Sequence, residues 1–556
     1  MSRLRPVTLM AVLALLVALA GVPGVVAAPK GPVNVQLLGI NDFHGNLEPP
    51  AGSSGRIGTV NAGGVEYLST HIAALEAANP YTVVLSAGDL IGASPLISAL
   101  FHDEPTIEAM NLIGLDVNAV GNHEFDEGID ELIRMQEGGC HPVDGCQDGD
   151  AFSGADFRFL AANVVWKKNG KTVFPAYKMY SFDGAKIAVV GLVTRTTPTI
   201  VTPSGISALD FLDEAETMNA LIPELKKKGI ETVVGLIHEG GFPTGAYNEC
   251  PGVSGAIVDI VDRADDEVDL WISGHTHQGY NCVIDGDPVS SGSSFGRIVT
   301  DVDMTIDRAT GEPTSILVDN KIVTRDVAKD AAQTSLIGEY KTLSAPLANR
   351  VVGNITADIT RAQNAAGESA LGNFIADSQW FVTEPAASGG AVAAFMNPGG
   401  VRADLTFAPT GPESVGGIVR YEEIFTVQPF GNSLVTMTLT GEQIDTMLEQ
   451  QWAGQTAPRI LAASSSVSYA WSASAPNGSK VDIASIRIGG VPIDPAASYR
   501  ITVNSFLADG GDNFVILRSG TNRLGGDVDL DAVEKYFIAQ AGPVAPPAQN
   551  RITLLP

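Results

Sequence analysis

The amino-acid sequence predicts an α/β protein of two domains, and three observations support this fold class. Between residues 33 and 325, five β-branched apolar runs end directly in polar residues, as in VNVQLLGINDFHG and VDLWISGHTHQ. Uninterrupted apolar runs are typical of strands that are buried on both faces. Helical stretches such as DEAETMNALIPELKKKG lie between them. Because strands alternate with helices, we expect helices to cover a sheet whose carboxyl edge presents the polar residues.

The third observation is a change of pattern near residue 351. The stretch before it is helix-prone and polar on one side, and the chain beyond it mixes helices such as GESALGNFIADSQW with short strands and turns. A chain of 556 residues is also longer than one hydrophobic core normally supports. We therefore predict a first domain over residues 33–325, a helical linker over residues 326–350 and a second domain over residues 351–556.

The amino terminus predicts a secretory signal peptide over residues 1–27. Arg3 and Arg5 precede the apolar run VTLMAVLALLVALAG, and small residues before Ala28 provide a cleavage site. A membrane anchor is the alternative, but the apolar run is short and is broken by Gly and Pro. The sequence favours a secreted protein, extracellular or periplasmic, without an integral membrane segment once the signal is removed.

The charge of the chain narrows the partners that it can bind. The sequence holds 34 Lys and Arg against 63 Asp and Glu, a formal net charge of −29. Such a surface disfavours a nucleic acid duplex, because the phosphates of a duplex bind basic surfaces. A small phosphate ester is compatible with this charge, since metal ions in a site invert the local potential.

The cysteines indicate disulfides. The chain contains Cys140, Cys146, Cys250 and Cys282, and an even number in a secreted protein suggests two disulfides with three possible pairings. Pairing Cys140 with Cys146 and Cys250 with Cys282 is the simplest. A zinc site is the alternative, although the spacing matches no CxxC pattern.

Metal-binding residue types accumulate at the predicted strand ends. Five of the eight histidines lie there, namely His44, His123, His238, His275 and His277. Asp42, Asp89 and Asn122 accompany them, and this combination suits Zn, Mn, Fe or Co, with Mg accepted by the oxygen ligands. Asp42 and His44 would project to the same side if the strand continued through them. Asp89 has no adjacent histidine and is the candidate bridge between two ions, which together clamp the oxygens of an in-line displacement.

These motifs resemble a known family. The order D-x-H, G-D, G-N-H-E, an isolated His and G-H-x-H over residues 42–277 is similar to that of calcineurin-like metallophosphoesterases. GESALGNFIAD, MNPGGVR, QPFGNSL and NSFLADGGDNF resemble the C-terminal domain of the 5′-nucleotidase family, which includes UDP-sugar hydrolases. The resemblance implies an N-terminal four-layer α/β/β/α sandwich with two divalent ions, and a C-terminal domain that binds the nucleotide.

The resemblance also implies roles for individual residues. It assigns one ion to Asp42, His44, Asp89 and His277. It assigns the other ion to Asp89, Asn122, His238 and His275. In the second domain it assigns substrate binding to Asn397, Gly400, Arg402, Phe430, Phe506 and Asp512.

Phe430 and Phe506 match the two rings that enclose the base. Stacking on an aromatic ring contributes roughly 1–3 kcal/mol per base and accepts any base. Core packing is the alternative for both residues, although their Gly-rich flanks favour loops. The sequence departs from the family pattern just upstream of GESALGN, where Arg361 is the available arginine and lies several residues further back than expected. This departure leaves the preferred substrate open.

The stretch VNAVGNHEFDEG contains the predicted catalytic residues. His123 would stabilise developing charge or protonate the leaving group, and Asp126 would accept from its other ring nitrogen. Asp126 could instead cap the following helix, EGIDELIRMQ, and Glu124 receives no role.

The implied activity is hydrolysis of a nucleotide, foremost a nucleoside 5′-monophosphate. Two alternatives use the same site, namely action on 2′,3′-cyclic nucleotides with 3′-nucleotidase activity, and hydrolysis of UDP-sugars or NAD. A third alternative, from another class, is a secreted nucleotide-binding protein without catalytic activity. All seven expected metal ligands are present in the sequence, which favours an enzyme.

Overall fold

The computed structural model describes residues 31–556 apart from residues 51, 202, 411 and 413. The predicted signal peptide lies outside these described residues. Within them, the predicted α/β fold with two domains is confirmed. None of the helices in this part of the chain combines the length and apolar character that a membrane span requires.

The first sheet has six strands. In spatial order they are Pro313–Ile322, Ile298–Ile306, Val33–Ile40, Thr82–Ser86, Val117–Ala119 and Arg158–Leu160. The last four run parallel to one another, and the first two add an antiparallel edge. The parallel strands coincide with the uninterrupted apolar runs, as expected for strands covered on both faces.

The second sheet also has six strands. In spatial order they are Gly279–Ile284, Asp287–Gly292, Leu270–Ser273, Thr232–His238, Ala185–Val193 and Tyr177–Phe182. The four inner strands run parallel and the two outer strands antiparallel. The two sheets stack face to face on a buried core that includes Leu37, Leu85, Val189 and Leu236.

Helices cover the outer face of each sheet and complete the four layers of the predicted sandwich. The first sheet packs against Val65–Glu76, Leu96–Ala99, Glu104–Ile113 and Ile129–Glu137. The second packs against Glu214–Lys227 and Ala256–Arg263. Two short ribbons lie at the margins, formed by Arg56–Ile57 with Val60–Asn61 and by Val164–Trp166 with Leu209–Phe211.

A long helix, Ala331–Ala348, lies within the stretch predicted as a linker. Its N-cap is Asp330, whose side chain accepts a hydrogen bond from the backbone N–H of Gln333 at 2.9 Å. Ile337 and Tyr340 bury their side chains in the core beside the first sheet. The helix therefore packs against the first domain, it also contacts the helix Tyr421–Val427, and the chain enters the second domain directly after it.

The second domain is built on a five-stranded sheet. Its strands lie in the order Ala462–Ala463, Ala393–Met396, Ser498–Asn504, Ser433–Thr440 and Thr521–Val528. A smaller sheet consists of Val491–Pro492, Arg487–Ile488, Val467–Ser472 and Ile552–Leu555, and Val351–Asn354 pairs with Ile418–Arg420. The helices are Ala370–Thr383, Tyr421–Val427, Gly441–Glu449, Ser505–Ala508 and Asp529–Ala539.

Both predicted disulfides are confirmed. Cys140 pairs with Cys146 and Cys250 pairs with Cys282, with Cα–Cα distances of 4.7 and 5.1 Å. The alternative of a zinc site built from the cysteines is therefore wrong. The first disulfide closes a small loop after the helix Ile129–Glu137, and the second ties a loop to the edge strand Gly279–Ile284.

Candidate active site

The seven predicted metal ligands converge at one edge of the sandwich. Each lies at or just after the carboxyl end of a strand of the two stacked sheets, where the sequence pattern predicted them. Asp42, His44, Asp89, Asn122 and His238 are each no more than 3% exposed. Because the sheets stack face to face, ligands from both sheets meet although they are far apart in sequence.

The backbone at this edge differs from the expectation that a strand continues through Asp42 and His44. The strand Val33–Ile40 ends before them, and both residues are left-handed, with φ of 49° and 47°. Five of the seven predicted ligands share this conformation, the others being Asp89, His275 and His277. A left-handed residue other than glycine costs about 1–3 kcal/mol and persists where the surrounding structure imposes it. The two side chains therefore converge through a strained turn and not through strand alternation.

The predicted ligands form two groups that share Asp89. In the first group, His277 Nε2 lies 3.3 Å from Asp42 Oδ1 and 3.1 Å from His44 Nε2. Asp89 Oδ2 lies 3.6 Å from His44 Nε2 and 3.0 Å from His238 Nε2, which belongs to the second group with His275. A single carboxylate oxygen thus faces both groups, as a bridge between two ions requires.

The hydrogen bonds of the imidazoles fit a metal site. His44 Nδ1 lies 2.8 Å from the carbonyl of Gly92, and His238 Nδ1 lies 2.7 Å from the carbonyl of Ala87. Donation from Nδ1 leaves the Nε2 lone pair directed into the site, which is how ligating histidines are usually oriented. Among the described residues, the buried Asn122 Oδ1 has no hydrogen-bond partner, and His238 Nε2 faces only the Asp89 carboxylate. An ion would satisfy both atoms, so the residues present fit a pair of divalent ions.

Burial and neighbouring carboxylates shift the pKa values of these histidines in opposite directions. Burial lowers the pKa of His44 well below its ordinary value, which keeps the imidazole neutral. Burial also acts to lower the pKa of His238, but the adjacent Asp89 carboxylate raises it to about 10. The region around Asp89 therefore favours positive charge.

Close backbone approach explains the glycine of the G-N-H-E motif. A Cβ atom at Gly121 would lie 2.2 Å from Asp89 Oδ1, and one at Gly88 would lie 2.6 Å from His238 Nδ1. The obstructing side chains, Asp89 and His238, are both predicted ligands, so making room for a Cβ atom would move a ligand. Glycine is therefore required here by space and not only by turn geometry.

Glu124, which received no role from the sequence, organises this edge. Its carboxylate accepts from the backbone N–H groups of Asp89, Leu90 and Gly121 at 2.9, 2.9 and 2.6 Å, and from Asn118 Nδ2 at 2.9 Å. Burial raises the pKa of Glu124 to about 7. The carboxylate thus fixes two backbone segments around Asp89, the one at Asp89 and Leu90 and the one at Gly121. Its position in the G-N-H-E motif is the only sequence signal that pointed to it.

His123 and Asp126 form a hydrogen-bonded pair. His123 Nδ1 lies 2.7 Å from Asp126 Oδ2, and the backbone N–H of His123 donates to Asp89 Oδ1 at 2.9 Å. Burial acts to lower the pKa of His123, and the Asp126 carboxylate raises it above the ordinary value. The capping alternative for Asp126 is wrong, because the helix Ile129–Glu137 has Gly128 as its N-cap.

The second domain closes the site from the opposite side. A cavity of about 190 Å³ is lined on one side by Asp89, Asn122, His123, Asp126, His275 and His277, and on the other by Asn397, Gly400, Arg402, Phe430, Phe506 and Asp512. Every predicted substrate residue therefore borders the same space as four of the seven predicted metal ligands, namely Asp89, Asn122, His275 and His277. The Phe430 ring stacks on the His123 ring with centroids 5.8 Å apart and planes at 15°.

Both phenylalanines line the cavity. Phe506 also packs against the hydrophobic core of the second domain, so the core-packing alternative holds in part for Phe506, whereas Phe430 belongs to none of the core clusters of the described residues. Phe430 lies in a turn, whereas Phe506 lies in the short helix Ser505–Ala508 and not in the predicted loop. Arg402 lies over the Phe430 ring, with its guanidinium carbon 5.7 Å from the ring centroid. Burial lowers the pKa of Arg402, and Asp89 and Asp126 oppose this effect.

A chain of hydrogen bonds links the polar residues of this second wall. Asn504 Nδ2 donates to Asn397 Oδ1 at 3.0 Å, and Asn397 Nδ2 donates to Asp512 Oδ2 at 2.8 Å. Arg459 Nη1 donates to Asp512 Oδ1 at 2.7 Å. Arg459 also lines the cavity, although it stands in no motif that would have marked it. Arg361, in contrast, donates to the carbonyl of Arg402 at 2.8 Å and borders a neighbouring cavity.

Comparison with known families agrees with this geometry. The family described as calcineurin-like phosphoesterase matches residues 35–279, and the 5′-nucleotidase C-terminal domain matches residues 351–519. The fold and the convergent ligands define the first domain as a metallophosphoesterase. With both domains present in this order, the chain belongs to the 5′-nucleotidase family, whose members are metal-dependent phosphoester hydrolases.

Individual relatives show the extent of this similarity. Endonuclease YhcR of Bacillus subtilis is 31% identical over 95% of this chain, and the chain spans 41% of that protein. Cell wall protein Lmo0130 of Listeria monocytogenes is 31% identical, over 91% of this chain and 67% of its own length. A 5′-nucleotidase precursor from Thermus thermophilus has a similar structure, with a TM-score of 0.76 and 26% identity, over 94% of this chain and 99% of the other.

Proposed function

We propose that this protein is a secreted phosphoesterase that hydrolyses nucleotides with two divalent metal ions. Its foremost substrates would be nucleoside 5′-monophosphates, which it would convert to nucleoside and phosphate. Zn, Mn, Co, Fe or Mg would be held by the seven predicted ligands Asp42, His44, Asp89, Asn122, His238, His275 and His277. Secretion is supported by the predicted signal peptide, and one relative is named a cell wall protein.

The single observation that supports this proposal is the shared cavity. It connects Asp89 and His123 on one wall with Phe430, Phe506 and Asp512 on the other. A nucleotide carries a phosphate and a flat base, and the cavity contains both predicted metal ligands and aromatic rings. Two aromatic rings accept any base, so we expect tolerance of the nucleobase.

The protein's own residues would orient the substrate and move the proton. The ions, when bound, would supply Lewis-acid stabilisation of phosphoryl charge and lower the pKa of the attacking water. His123 has Nδ1 engaged by Asp126, so Nε2 is the nitrogen that would donate to the leaving oxygen. Arg402 would pair with phosphate oxygens, because a guanidinium forms charge-assisted hydrogen bonds with them.

A panel of substrates tests the proposal. Hydrolysis of AMP, UDP-glucose, 2′,3′-cyclic AMP and NAD would be measured with added Mn²⁺, Zn²⁺ or Co²⁺, and we expect AMP to give the highest kcat/KM. A higher value for another member would replace the proposed substrate and leave the reaction class intact. Absence of hydrolysis with every substrate and metal would overturn the proposal in favour of a nucleotide-binding protein without activity.

A further inference from the structure

Two histidines that play no part in the cavity lie together on the first domain. The rings of His102 and His141 stack with centroids 3.8 Å apart and planes at 15°. Their side chains are 17% and 14% exposed, so both are largely enclosed. Neither histidine lies at a strand end, and the sequence pattern assigned neither a role.

Carboxylates surround this pair of imidazoles. His102 Nδ1 lies 2.9 Å from Glu127 Oε2, and His102 Nε2 lies 3.0 Å from Asp144 Oδ2. The same oxygen of Asp144 lies 3.4 Å from His141 Nδ1. Glu131 completes the group, and one ligand atom from each of His102, Glu127, Glu131 and His141 lies within 4.8 Å of the others.

The group shares one feature with the predicted catalytic ligands, although both ring nitrogens of His102 contact carboxylates, whereas His238 Nδ1 contacts a backbone carbonyl. There, too, an imidazole nitrogen and a carboxylate oxygen lie close together, as with His238 Nε2 and Asp89 Oδ2 at 3.0 Å. Two imidazoles with several carboxylates are a ligand set that suits zinc and neighbouring transition ions. The imidazole nitrogens distinguish this group from a cluster of carboxylates alone.

The local charge also favours a cation. The four carboxyl groups of Glu104, Glu127, Glu131 and Asp144 face two cations, Arg134 and His102, and the hydrogen bond to Glu127 raises the pKa of His102 to about 9. Arg134 Nη2 donates to Glu131 Oε1 at 2.6 Å, which orients that carboxylate as groups around a metal ligand often do. A divalent ion would neutralise the remaining negative charge.

The group joins several segments of the first domain. His102 precedes the helix Glu104–Ile113, Glu127 follows the turn that holds His123 and Asp126, and Glu131 lies in the helix Ile129–Glu137. His141 and Asp144 lie inside the loop that the Cys140–Cys146 disulfide closes. An ion here would anchor this loop to the segment directly after the predicted catalytic residues.

We propose that His102, Glu127, Glu131, His141 and Asp144 form a further divalent-metal site, distinct from the predicted catalytic pair and suited to Zn²⁺. Its role is structural, because no member of the group lines the cavity. The ion fixes the disulfide loop against the turn after Asp126. The proposal does not depend on which substrate the cavity binds.

Metal content tests the proposal directly. The full-length secreted protein would be stripped with a chelator, loaded with Zn²⁺, passed through gel filtration and analysed by elemental mass spectrometry. We expect the parent to retain one more zinc ion per chain than the His102→Ala/His141→Ala double variant. This difference is independent of the occupancy of the catalytic pair, so failure of the proposed function would not alter it. Equal zinc content would overturn the proposal.

A matched control and a second measurement distinguish loss of the metal site from misfolding of the variant. His71→Ala removes a histidine whose Nε2 contacts the carbonyl of Thr324 at 3.1 Å, outside this group, and should retain the zinc content of the parent. Hydrogen exchange of residues 139–147 should slow when Zn²⁺ is added to the parent, and not in Glu127→Gln. If Zn²⁺ leaves exchange in the parent unchanged, the proposed anchoring is wrong even where the double variant fails to fold.

Discussion

The two walls of the cavity hold their polar side chains in different ways. On the first wall, five of the seven predicted metal ligands have a left-handed backbone. On the second wall, Asn397, Asp512 and Arg459 are held mainly by hydrogen bonds between side chains, and Asp512 alone among the predicted substrate residues is left-handed. Metal ions demand fixed ligand positions, whereas a nucleotide-binding surface can adjust to its ligand. The first wall should therefore tolerate substitution less than the second.

The largest effect is expected at Asp89, which both ligand groups share. Asp89→Asn should reduce turnover of AMP by about 10³-fold or more, because a metal ion supplies several kcal/mol of charge stabilisation. Kinetics and metal content would be measured together, with the exposed Asp156→Asn as control. A variant that retained full activity and both ions would contradict the assignment of Asp89 as the bridge.

His123 belongs to the first wall but is not among its predicted ligands. His123→Ala should lower kcat by about 10²–10⁴-fold, the usual contribution of general acid catalysis, while the metal content stays unchanged. The measurement is kcat for AMP beside elemental analysis of the same sample. Loss of the ions in this variant would show that His123 supports the metal site and not proton transfer.

Substitution of Asp126 tests whether its hydrogen bond to His123 contributes to catalysis. Asp126→Asn should lower kcat by about 10–100-fold, since carboxylates that orient a functional imidazole contribute that much. The urea midpoint of unfolding should not change, because Gly128 and not Asp126 caps the next helix. Asp130→Asn, an exposed change in the first turn of that helix, is the matched control. Unaltered kcat would remove Asp126 from the catalytic group.

Phe506 tests the second wall alone, since Phe430 also stacks on His123. Phe506→Ala should raise KM for AMP by about 5–150-fold, which corresponds to the 1–3 kcal/mol of one base stack, with little change in kcat. The exposed Phe381→Ala provides a control for loss of a phenylalanine elsewhere in the same domain. If kcat fell and KM did not change, the two walls would not divide binding and catalysis in this way.

The smallest effect concerns the pH dependence of the free energy of unfolding, through a buried carboxyl group next to the second wall. Asp529 is 1% exposed, its backbone N–H donates to the carbonyl of the cavity residue Asn432, and burial raises the pKa of its carboxyl to about 7. Because the folded state holds this proton more tightly than the unfolded state, the stability it contributes is present at acidic pH and is lost as the pH rises through 7.

Asp529→Asn removes this titration and can keep the acceptor for the N–H of Leu530, at 2.8 Å. The variant should therefore gain about 1–2 kcal/mol of stability relative to the parent between pH 5 and pH 8. Urea unfolding at the two pH values measures this, with the exposed Asp531→Asn as control. A constant difference between variant and parent would show that Asp529 does not titrate in this range.

Much of the first wall could be predicted because its residues stand in short motifs at the ends of apolar runs. The parallel strands and the convergence of the seven predicted ligands at their carboxyl ends follow from such local patterns, and so does the proximity of His123 and Asp126. The conformation of the ligands could not be predicted in the same way. Asp42 and His44 would lie on one side of a continued strand, yet the strand ends at Ile40 and a left-handed turn brings them together.

The second wall was harder to predict because its contacts join distant parts of the chain. Phe430, Phe506 and Asp512 were identified through resemblance to a family, and their separation along the chain gives no sign that they share a cavity. Arg459 stands in no motif, and its partner Asp512 lies 53 residues further on. The group around His102 is similar, since His102 and Asp144 are 42 residues apart and neither marks a strand end.

The amino-acid sequence was enough to predict the α/β class, the order of the strands and helices, the disulfide framework in its simplest pairing and the identity of the predicted metal ligands. Periodicity, cysteine number and short motifs are local properties, and a linear chain displays them directly. The packed structure was needed to show that Glu124 organises the backbone around Asp89, that Arg459 supports Asp512, and that His102 and His141 meet among carboxylates. Each of these depends on segments that come together only when the sheets and helices pack.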